Sequence, residues 1–443
     1  MTLYEELSPK QKRSIRSDIA LIISLKGLSF PKTIDEIKGI GFFSPSVEVN
    51  EKEIYFSKDG QIALRRICDF IHQTKKYNAS LNYNDVFQGV IAEIERWMND
   101  KLIPDDAEFI EPLDLFLLKK IDDFTFFCRV DGVSLENIDS IKIGTYEVKK
   151  YDQMLISGIN DPNDLTDNVI KKEYGDALVI IGTERGSSSV AMEKFYHNAD
   201  LSLSVLRLYS CALYRAAIRM LNIRLINSCA QAYGPASSFG WGDSERRLMF
   251  TRHFRSEQDL KIDPELLKDI RSECFFEMLS SLIGKEQNNG LENAILKALF
   301  WVGEAQKDRS HASAWIKLWC SMECFFTIGD NKITEHNARG ISSILVYGGY
   351  SHQKFGDYDQ LKKKIKKYCK LRSKAVHRAE YTHIDEVLLD EFSFIAAWCV
   401  ITMASLLSKG YTTLSQVQKE AVRLDRLGSK SNNQNRPARS TRG

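Results

Sequence analysis

LKKKIKKYCKLRSKAVHR, residues 361–378, is the stretch on which the reading of this chain turns. It carries nine Lys or Arg and no acid. At the helical period Leu361, Ile365, Tyr368 with Cys369, Arg372 and Val376 fall on one stripe, so Arg372 takes a slot flanked by apolar residues a turn to either side. A guanidinium facing inward needs an anion to offset its desolvation. Around the stripe lie Lys362, Lys363, Lys366, Lys367, Lys370 and Lys374, the expected RNA-binding residues, because a helix face of one sign attracts a polyanion. A lysine run is also the pattern of a solvated helix face, and that reading stays open.

His377 follows Arg372 by five residues, about 140° further round an ideal helix, so the two can border one groove near the helix end without touching. The pair suits RNA cleavage. A neutral imidazole can take the proton of a ribose 2′-hydroxyl, and a permanently charged guanidinium can stabilise the negative charge that builds on the phosphate under attack. This chemistry calls for neither a metal nor a cofactor, and none is expected.

The segment RSKAVH (372–377) follows the apolar, Glu-bearing WIKLWCSMECFF (315–326) and precedes the long EVLLDEFSFIAAWCVITMASLL (386–407). In that order the three resemble the HEPN superfamily, most closely its Apea-like branch. The resemblance covers residues 291 to about 427. It implies a small helical bundle whose R-x4-6-H motif forms a metal-independent ribonuclease site, completed by the same motif from a second subunit. Arg372 and His377 match the motif, and Glu323 matches the acidic position that often supports it. Ser373 stands where the family commonly has Asn, Asp or His. The catalytic candidates are therefore Arg372, His377, Glu323 and Ser373. Glu323 is otherwise a helix acid bordering the apolar stripe Trp315, Trp319, Met322 and Phe326.

The resemblance further implies an endoribonuclease with RNA as substrate, a homodimer through the C-terminal bundle, and a toxin-like or anti-phage defence role. In that role the N-terminal region would sense a phage-derived or protein trigger. The alternative is a non-catalytic HEPN-type module that binds RNA or dimerises.

Composition bounds this picture without deciding it. A chain of 443 residues, 43% hydrophobic and 27% charged, is ordinary globular protein long enough for two or three domains. The net charge of +2 hides an asymmetry: residues 361–378 carry +9 and residues 426–443 carry +5, leaving the rest of the chain acidic. Basic character is local, as for a site rather than a general coat. The nine cysteines sit in apolar segments without CxxC spacing and read as reduced core residues of a cytoplasmic protein. Cys320 and Cys324 lack a second ligand pair, so no zinc site is expected. The basic N-terminus before residues 19–25 lacks the features of a signal peptide. The most apolar run, residues 392–407, is shorter than a comfortable membrane span and reads as a buried bundle helix.

The expected fold class is α+β, a mixed N-terminal region with a small sheet followed by an all-α, HEPN-like bundle. Residues 1–103 read as mostly helical, beginning with a Ser8-Pro9 start and a first helix packed on a sheet. EIYF (53–56) reads as a strand, SKDG (57–60) as a turn, and 61–76 and 85–102 as helices. Residues 104–285 read as an α+β region with strands at 124–130, 141–148 and 177–182, a surface loop at IIGTERGSSS (180–189), and a helix over 199–223. A Gly/Ser-rich loop follows at 233–247, and an Asp263-capped helix runs to about 284. KEQNNG (285–290) marks the boundary to the bundle of residues 286–427, with a Thr382-x-x-Asp385 capping box before its last long helix. Residues 428–443 read as a disordered basic tail.

Overall fold

The protein is described here from a computed structural model covering residues 2–31, 45–156, 174–214, 221, 223–226, 236–241, 248–253, 259–308, 310–327, 333–348, 356–378 and 384–434. It is a mixed α/β protein with small sheets and a helical C-terminal region. The chain divides into two compact units, residues 1–126 with 183–196, and residues 127–182 with 197–443.

The first unit opens with α1 (Leu3–Glu6) and α2 (Pro9–Ile22). Ser8 caps α2 in a reciprocal box with Gln11, as its Ser-Pro start implies. Strands β1 (Leu28–Ser29), β2 (Ser46–Val49) and β3 (Lys52–Phe56) make a small antiparallel sheet of order β1-β3-β2, with Val47 opposite Ile54. Helices α3 (Lys58–His72), α4 (Tyr83–Asp100) and α5 (Asp106–Leu118) complete it. Two expectations fail here. The supposed turn at 57–60 is the start of α3, because the Ser57 hydroxyl accepts from Gly60 N and caps the helix. Helix α2, which the Ser8-Pro9 start predicts, packs chiefly on α3, not on a sheet. Helix α5 was hidden by Pro112, which the helix tolerates in its interior behind an Asp105 cap.

In chain order the strands continue as β4 (Asp122–Asp131), β5 (Val133–Leu135), β6 (Ser140–Ile143), β7 (Tyr146–Lys150), β8 (Leu178–Gly186) and β9 (Arg224–Leu225). The largest sheet has the order β6-β7-β8-β4-β9. The expected single strand at 141–148 is a hairpin, with Ile141 opposite Val148. Gly144 turns it at φ +64°, where a Cβ would also lie 2.8 Å from the Ser280 carbonyl. The expected surface loop at 180–189 is strand as far as Gly186 and helix from Ser188, where α6 (Ser188–Tyr209) begins. That helix starts earlier than expected, passes into a π turn at Ser210–Tyr214, and is over before the strand Arg224–Leu225. Within 233–247, Ala236–Trp241 is strand β10, paired with β11 (Leu248–His253). Strand β12 (Leu260–Ile262) runs parallel to β5. Asp263 caps α7 as expected, but α7 (Pro264–Glu273) stops early because Phe275 turns left-handed, at φ +57°, before α8 (Phe276–Ser281).

Among the described residues six helices follow: α9 (Gly290–Lys307), α10 (His311–Phe326), α11 (Ile333–Tyr347), α12 (Tyr358–Arg378), α13 (Glu386–Ser408) and α14 (Leu414–Gln434). Asn289 caps α9 by accepting from the amides of Leu291 and Glu292. The last long helix has Asp385 as its cap, accepting from Leu388 N at 2.8 Å, while Thr382 lies outside the described residues. Helix α13 is long and apolar enough to cross a membrane, and most of it is buried within the second unit. Helix α14 runs on past Leu427, where the sequence reading ends order, to Gln434.

What seats α12 is aromatic. Tyr368 of α12, Trp315 of α10 and Phe392 of α13 pack mutually, with ring centroids 4.8, 4.3 and 4.9 Å apart. Trp315 Nε1 donates to the Tyr368 carbonyl at 3.3 Å. Leu361 and Ile365 are buried beside them, each contributing about 1.5–3 kcal/mol of burial.

Candidate active site on helix α12

One-sided amphipathicity sets how α12 lies. On an ideal helix Lys362 and Lys366 stand on one flank, Lys364 on the other, and Lys363, Lys367, Lys370 and Lys374 form a single outer stripe. Each flank is held by a carboxylate of a neighbouring helix. Glu335 of α11 takes Lys362 at 3.0 Å and also takes Lys366, and hydrogen bonds from Lys366 and Lys362 hold its carboxyl below the usual range against the opposing effect of burial. Burial works to raise the Glu391 carboxyl of α13, but Lys364 and the Tyr368 hydroxyl, donating at 2.6 Å, overcome it and hold the group low. Tyr368 in turn is pushed well above the ordinary tyrosine range by burial and by Glu391.

The outer stripe differs. Lys363, Lys367, Lys370 and Lys374 are all exposed. Of the six lysines expected to bind RNA, two are thus tied down by Glu335 and four face solvent along about 16 Å of helix.

Arg372 lies on the opposite, inward side. Its Nη2 stands 3.6 Å from Glu323 Oε2 of α10, with the two side chains 30% and 22% exposed. The other Glu323 oxygen accepts from Trp319 Nε1 at 2.7 Å, so the indole fixes the carboxylate that faces the guanidinium. Arg372 Nε is enclosed without a hydrogen-bond partner among the described residues, one donor in excess at this point. Cys320, on the same face of α10, has its thiol raised by burial and by Glu323, with Arg372 opposing. The anion that an inward arginine requires is therefore supplied in part by Glu323.

His377 and Ser373 are exposed, and neither has a hydrogen-bond partner among the described residues. His377 is about 7.5 Å along the axis from Arg372 and about 140° around it, nearer the outer lysine stripe than the inward face. The structure brings Glu323 and Arg372 together and leaves His377 and Ser373 apart from them. Sequence reasoning missed two supports. Trp319 read only as core, although an indole four residues before a helical Glu is placed to donate to it. Glu335, three residues after Lys332 in a polar segment, carried no signal that it would face α12.

Compared with family models, with curated proteins and with solved structures, the chain finds no match.

Proposed function

We propose that the C-terminal helical region is a HEPN-like, metal-independent endoribonuclease, acting on RNA as a homodimer and serving as a toxin-like or anti-phage effector in the cytoplasm. The observation that carries this reading is Arg372: a half-buried guanidinium, oriented by a carboxylate that Trp319 fixes, with a spare enclosed donor, on the same helix as an exposed imidazole. In the reaction His377 takes the proton of the 2′-hydroxyl and the 2′-oxygen bonds to phosphorus. The bond from phosphorus to the 5′-oxygen then breaks, and that oxygen leaves with a proton from an imidazolium. The products are a 2′,3′-cyclic phosphate and a 5′-hydroxyl. Arg372 stabilises the charge on the phosphoryl oxygens in between.

Base and acid must stand on opposite sides of an in-line displacement, and one chain offers one such histidine on α12. With Arg372 and His377 about 140° apart, a site shared between two copies satisfies both requirements, with the imidazole of one copy reaching the guanidinium face of the other. Purified protein should cut RNA in EDTA, leave cyclic phosphate ends, and spare a strand carrying 2′-deoxyribose at the scissile position. Strict dependence on Mg²⁺ or cleavage of the deoxy strand rejects the reading.

A second reading has its own observation. Arg372 already owns a carboxylate, and the four exposed lysines lie on the face away from it, as in a module that holds RNA or dimerises without cutting.

A further inference from the structure

A groove runs between α11 and α14. Ser415, Lys419, Val422 and Arg426 line it from α14, the i, i+4, i+7, i+11 series of one helix face, and His336 and Arg339 line it from α11. From Ser415 to Arg426 it follows α14 for about 16 Å, or about three helical turns. It encloses about 680 Å³. Phe326, at the end of α10, closes its floor against α11, and it can do so because residue 340 is glycine: a Cβ there would stand 2.3 Å from the Phe326 ring.

The charge of its rims is one-signed. Every acid on α11 and α14 is engaged elsewhere: Glu335 holds Lys362 and Lys366, Glu420 holds Arg423, and Asp425 takes the Tyr358 hydroxyl. Arg339, Lys419 and Arg426 have no carboxylate partner among the described residues, and no described acid lines the groove. One cation thus stands on the α11 rim and two on the α14 rim. A partner bearing carboxylates on both flanks would complement them.

The apolar part of the lining narrows the class of partner. Phe326 is only 3% exposed and no described Tyr or Trp lines the groove, so it offers no broad ring on which a base could stack. The apolar surface that does stand open is aliphatic, Val422 and Leu427, the latter 50% exposed. A groove of this form takes an amphipathic helix, whose aliphatic residues at i, i+4 and i+7 fill the floor while the residues beside them reach the rims. We propose that this groove docks an acidic amphipathic helix of a partner protein, with its aliphatic side chains on Val422 and Leu427 and its carboxylates on Arg339, Lys419 and Arg426. Docking here requires neither RNA nor cleavage, so it stands apart from the ribonuclease reading.

The test is selection from a displayed library of helical peptides about 16 residues long, enough for the three turns of the groove and frayed ends. The library is panned against the full chain and against the same chain carrying Arg339→Gln, Lys419→Gln and Arg426→Gln together. Peptides enriched on the wild type and not on the variant should carry aliphatic residues at i, i+4 and i+7 with Asp or Glu beside them. In solution the best of these should bind more weakly as salt rises, and on the order of tenfold more weakly after each single Gln substitution, as expected for one lost charge-assisted contact. Arg426→Lys should retain most of the affinity, and a scrambled peptide that takes the aliphatic residues off one face should not bind. The side chains changed are exposed or half-buried, so the variants should keep the wild-type melting temperature. Enrichment that is the same on the variant, or enriched peptides that are basic or lack the aliphatic spacing, overturns the proposal. So does a 2′-deoxy heptanucleotide that binds through these three residues while no peptide does, which would make the groove part of a strand path.

Discussion

The two long faces of α12 carry residues from one basic segment and are used in opposite ways. The inner face runs Leu361, Ile365, Tyr368, Arg372, and every member has a partner: apolar neighbours for the first two, Glu391 for Tyr368, Glu323 for Arg372. The outer face runs Lys363, Lys367, Lys370, Lys374 and is open to solvent. Between them, Lys362, Lys364 and Lys366 act as stays, each drawn to a carboxylate on α11 or α13. Net charge alone therefore misjudges such a helix. Of the nine cationic residues, three on the flanks are drawn to carboxylates of the bundle, while the outer stripe is exposed on the side where a polyanion would approach.

The sharpest way to break this division is to cut the inner face. Ile365→Ala, at a fully buried position, should cost about 2–5 kcal/mol, whereas Val376→Ala, at a position 44% exposed, should change stability by less than about 0.5 kcal/mol. Chemical denaturation of the two variants measures both. Equal losses would mean that the end of α12 is packed as tightly as its start.

A smaller effect separates the stays from the stripe. Lys363→Gln with Lys370→Gln should weaken RNA binding and lower its salt dependence by about two counterions, while Lys362→Gln with Lys366→Gln, which mainly release Glu335, should lower it by less than one. Binding isotherms over a range of salt concentrations decide it. Identical slopes for the two pairs would erase the distinction drawn from Glu335.

Much of this was readable in the sequence. The periodicity of residues 361–378 placed Arg372 inward and gave the helix nearly to its ends, and the Ser8 and Asp263 caps were read correctly because a cap is a local hydrogen bond written in adjacent residues. What failed was set by distant partners. Residues 57–60 have turn composition, yet Ser57 caps a helix whose apolar face is buried in the first unit. Strand β10 hid in a Gly/Ser-rich run because its register comes from β11. At the site, Glu323 beside Arg372 was legible as an acid bordering an apolar stripe. The splitting of the lysines was not, because Glu335 and Glu391 come from two other helices.

The proposed ribonuclease requires that Arg372 and His377 serve chemistry rather than folding. Rates of RNA cleavage in EDTA for wild type, Arg372→Ala and His377→Ala, each checked by its melting curve, test it directly. Each variant should stay folded, bind RNA within a few-fold of wild type, and lose on the order of 10²–10⁴ in rate at saturating RNA, since each removes transition-state stabilisation more than ground-state contact. A folded Arg372→Ala protein that cuts as fast as wild type would contradict the claim and leave α12 a binding face.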